Sequence, residues 1–207
     1  MPILQTLKTS LHQRLEGAAK VAVLGVGSEL RADDAAGLLV TQRLQEIQSG
    51  EVGSGKPEVG SEKSSNFELR VFIGGTAPEN LTGEIKRFAP THLVIIDAAD
   101  LDAEPGTMTL MDPDSIGGTT FCTHSLPLKV MIDYLLDSFA RDPKRDTSRL
   151  GRAPKCEMSH LGTRAPCQVI ILGVQPKTLA VGAPVSQEVR DAVESLVAML
   201  CDDLIRD

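Results

Sequence analysis

The sequence contains no tryptophan, one tyrosine and five phenylalanines, so a core has to be filled by Leu, Val, Ile and Ala. Cations are outnumbered, with 21 Lys and Arg against 28 Asp and Glu and a formal net charge of −7. That balance argues against general phosphate-backbone binding, which relies on clustered Lys and Arg, and no nucleic-acid partner is expected. No apolar run reaches membrane-spanning length, and Met1-Pro2-Ile3-Leu4-Gln5 does not read as a signal peptide. The four cysteines, Cys122, Cys156, Cys167 and Cys201, form no CxxC pair and no dense framework. The expectation is a soluble cytoplasmic protein in a reducing setting, not attached to a membrane.

What is present is an alternation of helical and strand-like segments. A chain of 207 residues can bury a full core, and it reads as one domain, 1–207. Leu4, Leu7, Leu11, Leu15 and Ala18 recur at helical spacing and predict an N-terminal helix over about 4–19. Val21-Ala22-Val23-Leu24 predicts a buried strand. Strands are also expected at 69–73, 92–96, 108–111 and 169–172, and helices after residues 37, 80 and 124 and over 186–206. The stretches 49–65 and 141–166 are rich in polar, Gly, Pro and charged residues and predict flexible surface insertions. This rhythm is α/β, with a largely parallel sheet covered on both faces.

A flavodoxin-like start places the second strand beside the first and the third on its other side. The carboxyl ends of strands one and three then flank the point where such sheets bind ligands. Asp33 and Asp34 follow strand one, and Asp97 ends strand three. Gly25-Val26-Gly27 resembles the opening of a dinucleotide phosphate loop, but Leu30 stands where the third glycine belongs. The two adjacent acids would also repel a pyrophosphate from the helix start, so no nucleotide is expected.

One Asp satisfies a helix-capping role and leaves the other over. Asp33 is taken as the cap and Asp34 as the cleft residue, although spacing does not order them. Asp97 closes a fully apolar strand, where an ionised group needs a partner or a metal. His12, His92, His124 and His160 compete for the next role. Two carboxylates and one imidazole suit a divalent ion of borderline hardness, nickel or zinc, with coordination positions left open.

The run from Gly25 to Gly37 resembles the N-terminal motif of the [NiFe]-hydrogenase maturation endopeptidases. Gly74-Gly75-Thr76-Ala77-Pro78-Glu79-Asn80, Ile95-Ile96-Asp97-Ala98-Ala99-Asp100, Thr123-His124-Ser125-Leu126-Pro127 and Gly173-Val174-Gln175-Pro176 resemble further family blocks in the same order. The wording is most similar to the formate-hydrogenlyase, or hydrogen-evolving, branch. The resemblance implies a three-layer α/β/α sandwich on a five-stranded, mostly parallel mixed sheet. It also implies that Asp34, Asp97 and His124 contact a metal, and so selects Asp34 over Asp33. Ser28 and Ala35 depart from the family pattern, which has Asn and Gly at those turn positions in many members.

The implied activity is removal of the C-terminal extension of a hydrogenase large-subunit precursor after nickel insertion. The nickel comes from that precursor, Asp34 and Asp97 act in catalysis, and the enzyme is a monomer. Gly74, Gly75 and Thr76 are candidates for gripping substrate backbone, with a plain tight turn as the competing reading. Cys156, His160 and Cys167 read as incidental rather than as a second metal site. A non-catalytic nickel-binding maturation chaperone is the alternative, and a nucleotide-binding α/β enzyme the third reading.

Overall fold

A computed structural model describes residues 2–50, 67–111, 113, 125–140 and 167–204. Five strands are placed: β1 (Lys20–Val26), β2 (Glu68–Gly75), β3 (His92–Ala98), β4 (Met108–Met111) and β5 (Gln168–Val174). They form one sheet in the order β2-β1-β3-β5-β4. β2, β1, β3 and β5 run parallel, and β4 pairs antiparallel with β5 at the edge. A short link through the Pro105-Gly106 turn, with no crossover helix, joins β3 to β4 and reverses the chain.

The central strands are apolar on both faces because helices cover both. Along β3, Leu93 and Ile95 join one core cluster, while Val94 and Ile96 join the other. β1 alternates in the same way, with Val21 and Val23 against Ala22 and Leu24. On one face lie α1 (Pro2–Leu15), α2 (Ala36–Ser49) and α5 (Gln187–Leu204), contributing Leu7, Leu11, Leu44 and Leu196. On the other lie α3 (Thr82–Phe88) and α4 (Ser125–Ala140), contributing Ile85, Leu128 and Leu135. The result is an α/β/α sandwich on a mixed, mostly parallel sheet.

Three boundaries differ from the sequence expectation. The N-terminal helix stops at Leu15 rather than near 19, because Gly17 turns left-handed at φ 76°. The next helix runs on to Ser49 and is closed by Gly50 at φ 75°. β3 continues to Ala98, so Asp97 sits inside the strand rather than at its end. The expected insertion 141–166 lies outside the described residues, as does 51–65 of the other.

Candidate active site

The turn that follows β1 is built by glycine. Gly27 adopts φ +138°, and a Cβ there would stand 1.8 Å from the carbonyl oxygen of Asp34. Only a residue without a side chain lets the chain double back so closely. The Ser28 N–H then donates to Asp34 O at 3.3 Å, and the Asp34 N–H donates to Arg31 O at 3.0 Å. Gly37, in the first turn of α2, would place a Cβ 2.1 Å from Ile96 O and 2.5 Å from Val26 O. That helix therefore lies directly on the carboxyl ends of β1 and β3. Between Gly27 and Gly37 a 3-10 turn, Ala32–Ala35, carries both acids, and both are buried.

The two neighbours have opposite surroundings. Asp33 is fully buried among donors. Its Oδ2 accepts from the Lys177 and Thr178 N–H groups at 2.8 and 3.0 Å and from the Ser186 hydroxyl at 2.9 Å. Its Oδ1 accepts from the Ser186 N–H at 2.6 Å. The expectation that Asp33 caps the following helix is corrected: neither the 3-10 turn nor α2 receives a side-chain cap bond. Asp33 instead holds the segment between β5 and α5, including the residue that precedes α5.

Asp34 and Asp97 meet at the carboxyl edge of the sheet. Gly25 pairs with Ile96 across β1 and β3, which brings the β1 turn beside Asp97. Both carboxylates are 1% exposed, a degree of burial that removes solvent screening. Burial pushes the Asp97 carboxyl well above the usual range, and the negative charge of Asp34 pushes it further. The Ala98 N–H, donating to Asp97 Oδ1 at 2.8 Å, opposes the rise without cancelling it. Strand alternation puts Asp97 on the face shared with Leu93 and Ile95, the one α4 covers. Two buried acids of like charge are a donor set suited to a divalent cation.

His124, the third expected ligand, lies outside the described residues. Among the described residues no group of three His, Cys, Asp or Glu side chains forms a complete metal site. Of the other histidines, exposed His12 is on α1, and His92, buried beside the Thr91 hydroxyl, starts β3 at the far end of the sheet. His160 and Cys156 lie outside the described residues, and Cys167 is buried against the core.

Gly74 and Gly75 end β2 beside this turn, and Gly75 O accepts the Gly27 N–H at 3.1 Å. Thr76 is exposed next to them. Sequence reasoning placed Gln175 in a family block but gave it no role; its Oε1 accepts the Leu101 N–H at 2.6 Å and fixes the loop after β3. Its place just after the apolar run of β5, at the same edge, was the available signal.

The HycI model, described as hydrogenase maturation protease, matches residues 59–145. A Methanocaldococcus jannaschii protein bearing the hydrogenase maturation protease name is 29% identical over 198 residues, 95% of each chain. The Hydrogenase 3 maturation protease of Escherichia coli K12 is 28% identical over 179 residues, 86% of each chain. The chain is thus similar, over most of its length, to proteins named as hydrogenase maturation proteases.

Solved structures of such proteases share the fold. The fold matches that of the HycI maturation protease from Thermococcus kodakarensis with a TM-score of 0.67 at 22% identity, over 94% of this chain and 98% of that one. The solution structure of the Escherichia coli endopeptidase HycI gives 0.56 at 28% identity, over 86% and 87%. Among the described residues, no helix is long and apolar enough to cross a membrane.

Proposed function

We propose that this protein is a hydrogenase maturation protease, an endopeptidase that removes the C-terminal extension of a [NiFe]-hydrogenase large-subunit precursor, of the hydrogen-evolving branch, after nickel insertion. It acts as a cytoplasmic monomer. The observation that carries the reading is the pair of buried acids, Asp34 and Asp97, at one edge of the sheet. Burial, and then the charge of Asp34, raise the proton affinity of Asp97, and a cation would relieve both the desolvation and the repulsion. In this reading the cation is the precursor's own nickel, a part of the substrate, contacted by Asp34, Asp97 and His124. His124 immediately precedes α4 in the sequence, the helix on the face that Asp97 shares.

The chain's own groups then divide the work. Asp34 and Asp97 orient the loaded precursor so that the scissile bond lies beside them. Asp97, in its ionised form beside the cation, is the general base of this reading. It takes a proton from water as the water oxygen adds to the scissile carbonyl carbon. The proton passes to the amine nitrogen as the C–N bond breaks. Gly74, Gly75 and Thr76 hold the substrate backbone at the rim.

The test is a processing assay on purified nickel-loaded precursor, read as the loss of tail mass. Asp34→Ala, Asp97→Ala and His124→Ala should each lower the rate about a hundredfold or more while the fold survives. Full processing by Asp97→Ala would overturn the site. A precursor mass left unchanged by the unmodified protein would favour the nickel-binding chaperone.

A further inference from the structure

Two aliphatic side chains are conspicuously uncovered beside the acid pair. Leu30 is 73% exposed and Val181 is 78% exposed. They lie 151 positions apart in the chain, yet the Gly182 N–H donates to Leu30 O at 2.9 Å, so their loops form one rim. Asp33 secures that rim from below, since its carboxylate holds Lys177, Thr178 and Ser186 of the Val181 loop. The Leu30 loop is the turn that carries Asp34 itself. The rim and the turn of Asp34 therefore belong to one hydrogen-bonded unit.

Two aliphatic side chains held out on firmly tied loops offer apolar surface whose burial by a partner's apolar side chain would be favourable. Charge identifies the kind of partner. Exposed Glu29, Asp100, Asp102 and Glu104 belong to loops at this same edge, and they outnumber its cations, Arg31 and Lys177, the latter paired with Glu188. An acidic surround with an apolar step fits a polypeptide that offers an apolar side chain beside a cationic centre. We infer that Leu30 and Val181 form a docking rim for an apolar side chain of the substrate polypeptide, adjacent to its metal centre. Asp33 is the positioning residue that presents this rim.

This inference rests on the endopeptidase reading and adds the part of the substrate that is recognised. It is tested with Leu30→Ser, Val181→Ser and the double variant in the full chain. The readouts are steady-state processing of loaded precursor and direct binding of that purified precursor. The double variant should raise KM and weaken binding about tenfold while kcat holds, because the contact is the same in ground and transition states. Leu30→Met should behave like the parent. Thermal unfolding should not shift, since neither side chain is packed.

Unchanged KM and binding in the double variant would overturn the rim. So would a fall in kcat at constant KM. Asp34→Ala, run alongside, reports on the other reading. Full processing by that variant sinks the acid site, while the binding comparison still decides the rim.

Discussion

Asp33 and Asp97 are equally buried carboxylates at one edge of one sheet, and they are held on opposite terms. Asp33 receives four hydrogen bonds from three residues of the β5–α5 segment, which replace the water it gave up. Asp97 is buried, accepts from the Ala98 backbone N–H and faces a second negative charge; burial first, and that charge second, make its carboxyl cling to a proton. A buried charge surrounded by donors is an anchor. One set against a like charge is strained until something positive arrives. The adjacent Asp33 and Asp34 show that the distinction belongs to the surroundings, not to the residue type.

The largest expected effect breaks the anchor. Asp33→Ala leaves the Lys177, Thr178 and Ser186 donors facing a void, and losing one side of a buried charged network costs on the order of 3–5 kcal/mol. A denaturant midpoint should fall accordingly, with the slope unchanged. Asp33→Asn should recover only part of the loss, because the amide nitrogen meets an N–H on whichever side it is placed. A loss under roughly 1 kcal/mol for the alanine variant would mean that the segment is held by other contacts and that the contrast with Asp97 is false.

The next effect has the opposite sign. A folded-state proton affinity above that of the unfolded chain means that the native state holds more protons between the two titrations. Metal-free stability should therefore fall as pH rises from about 4 through the raised Asp97 value. Asp97→Asn removes the buried charge and should flatten that slope, raising stability at pH 7 by on the order of 1 kcal/mol even as processing stops. Parallel denaturation series from pH 4 to 8 for parent and variant decide it. A variant less stable than the parent at pH 7 would show that the ionised pair stabilises the fold.

Sequence reasoning reached the layers of the fold because central strands with both faces covered must read as apolar runs, and Val21–Leu24, Leu93–Ile96 and Val169–Leu172 do. It also reached the strand order around the site, since short connections and right-handed crossovers leave few alternatives. The division between Asp33 and Asp34 was not legible from spacing. What decides it is the Lys177–Ser186 segment, whose donors come from more than 140 positions away. A local pattern sees a helix start and predicts a cap, whereas the fold supplies those remote donors. The same reason hid the role of Gln175, whose bond to the Leu101 N–H forms only after β3 and β5 pair.

The smallest effect belongs to an acid that water never leaves. Asp202 on α5 meets Lys8 of α1 at 2.9 Å, within the range of the contacts that Asp33 makes. Yet the two side chains are 38% and 48% exposed, and solvent screens the attraction while long side chains lose freedom to hold it. Lys8→Ala should therefore shift stability by no more than about 0.5 kcal/mol, and added salt should erase even that. Leu11→Ala on the same helix, fully buried in the core, should cost about 2–5 kcal/mol. The pair of variants separates charge from burial as what docks α1. If Lys8→Ala cost as much as Asp33→Ala, distance rather than desolvation would rank the carboxylates of this protein, and the contrast between anchor and strained site would lose its physical basis.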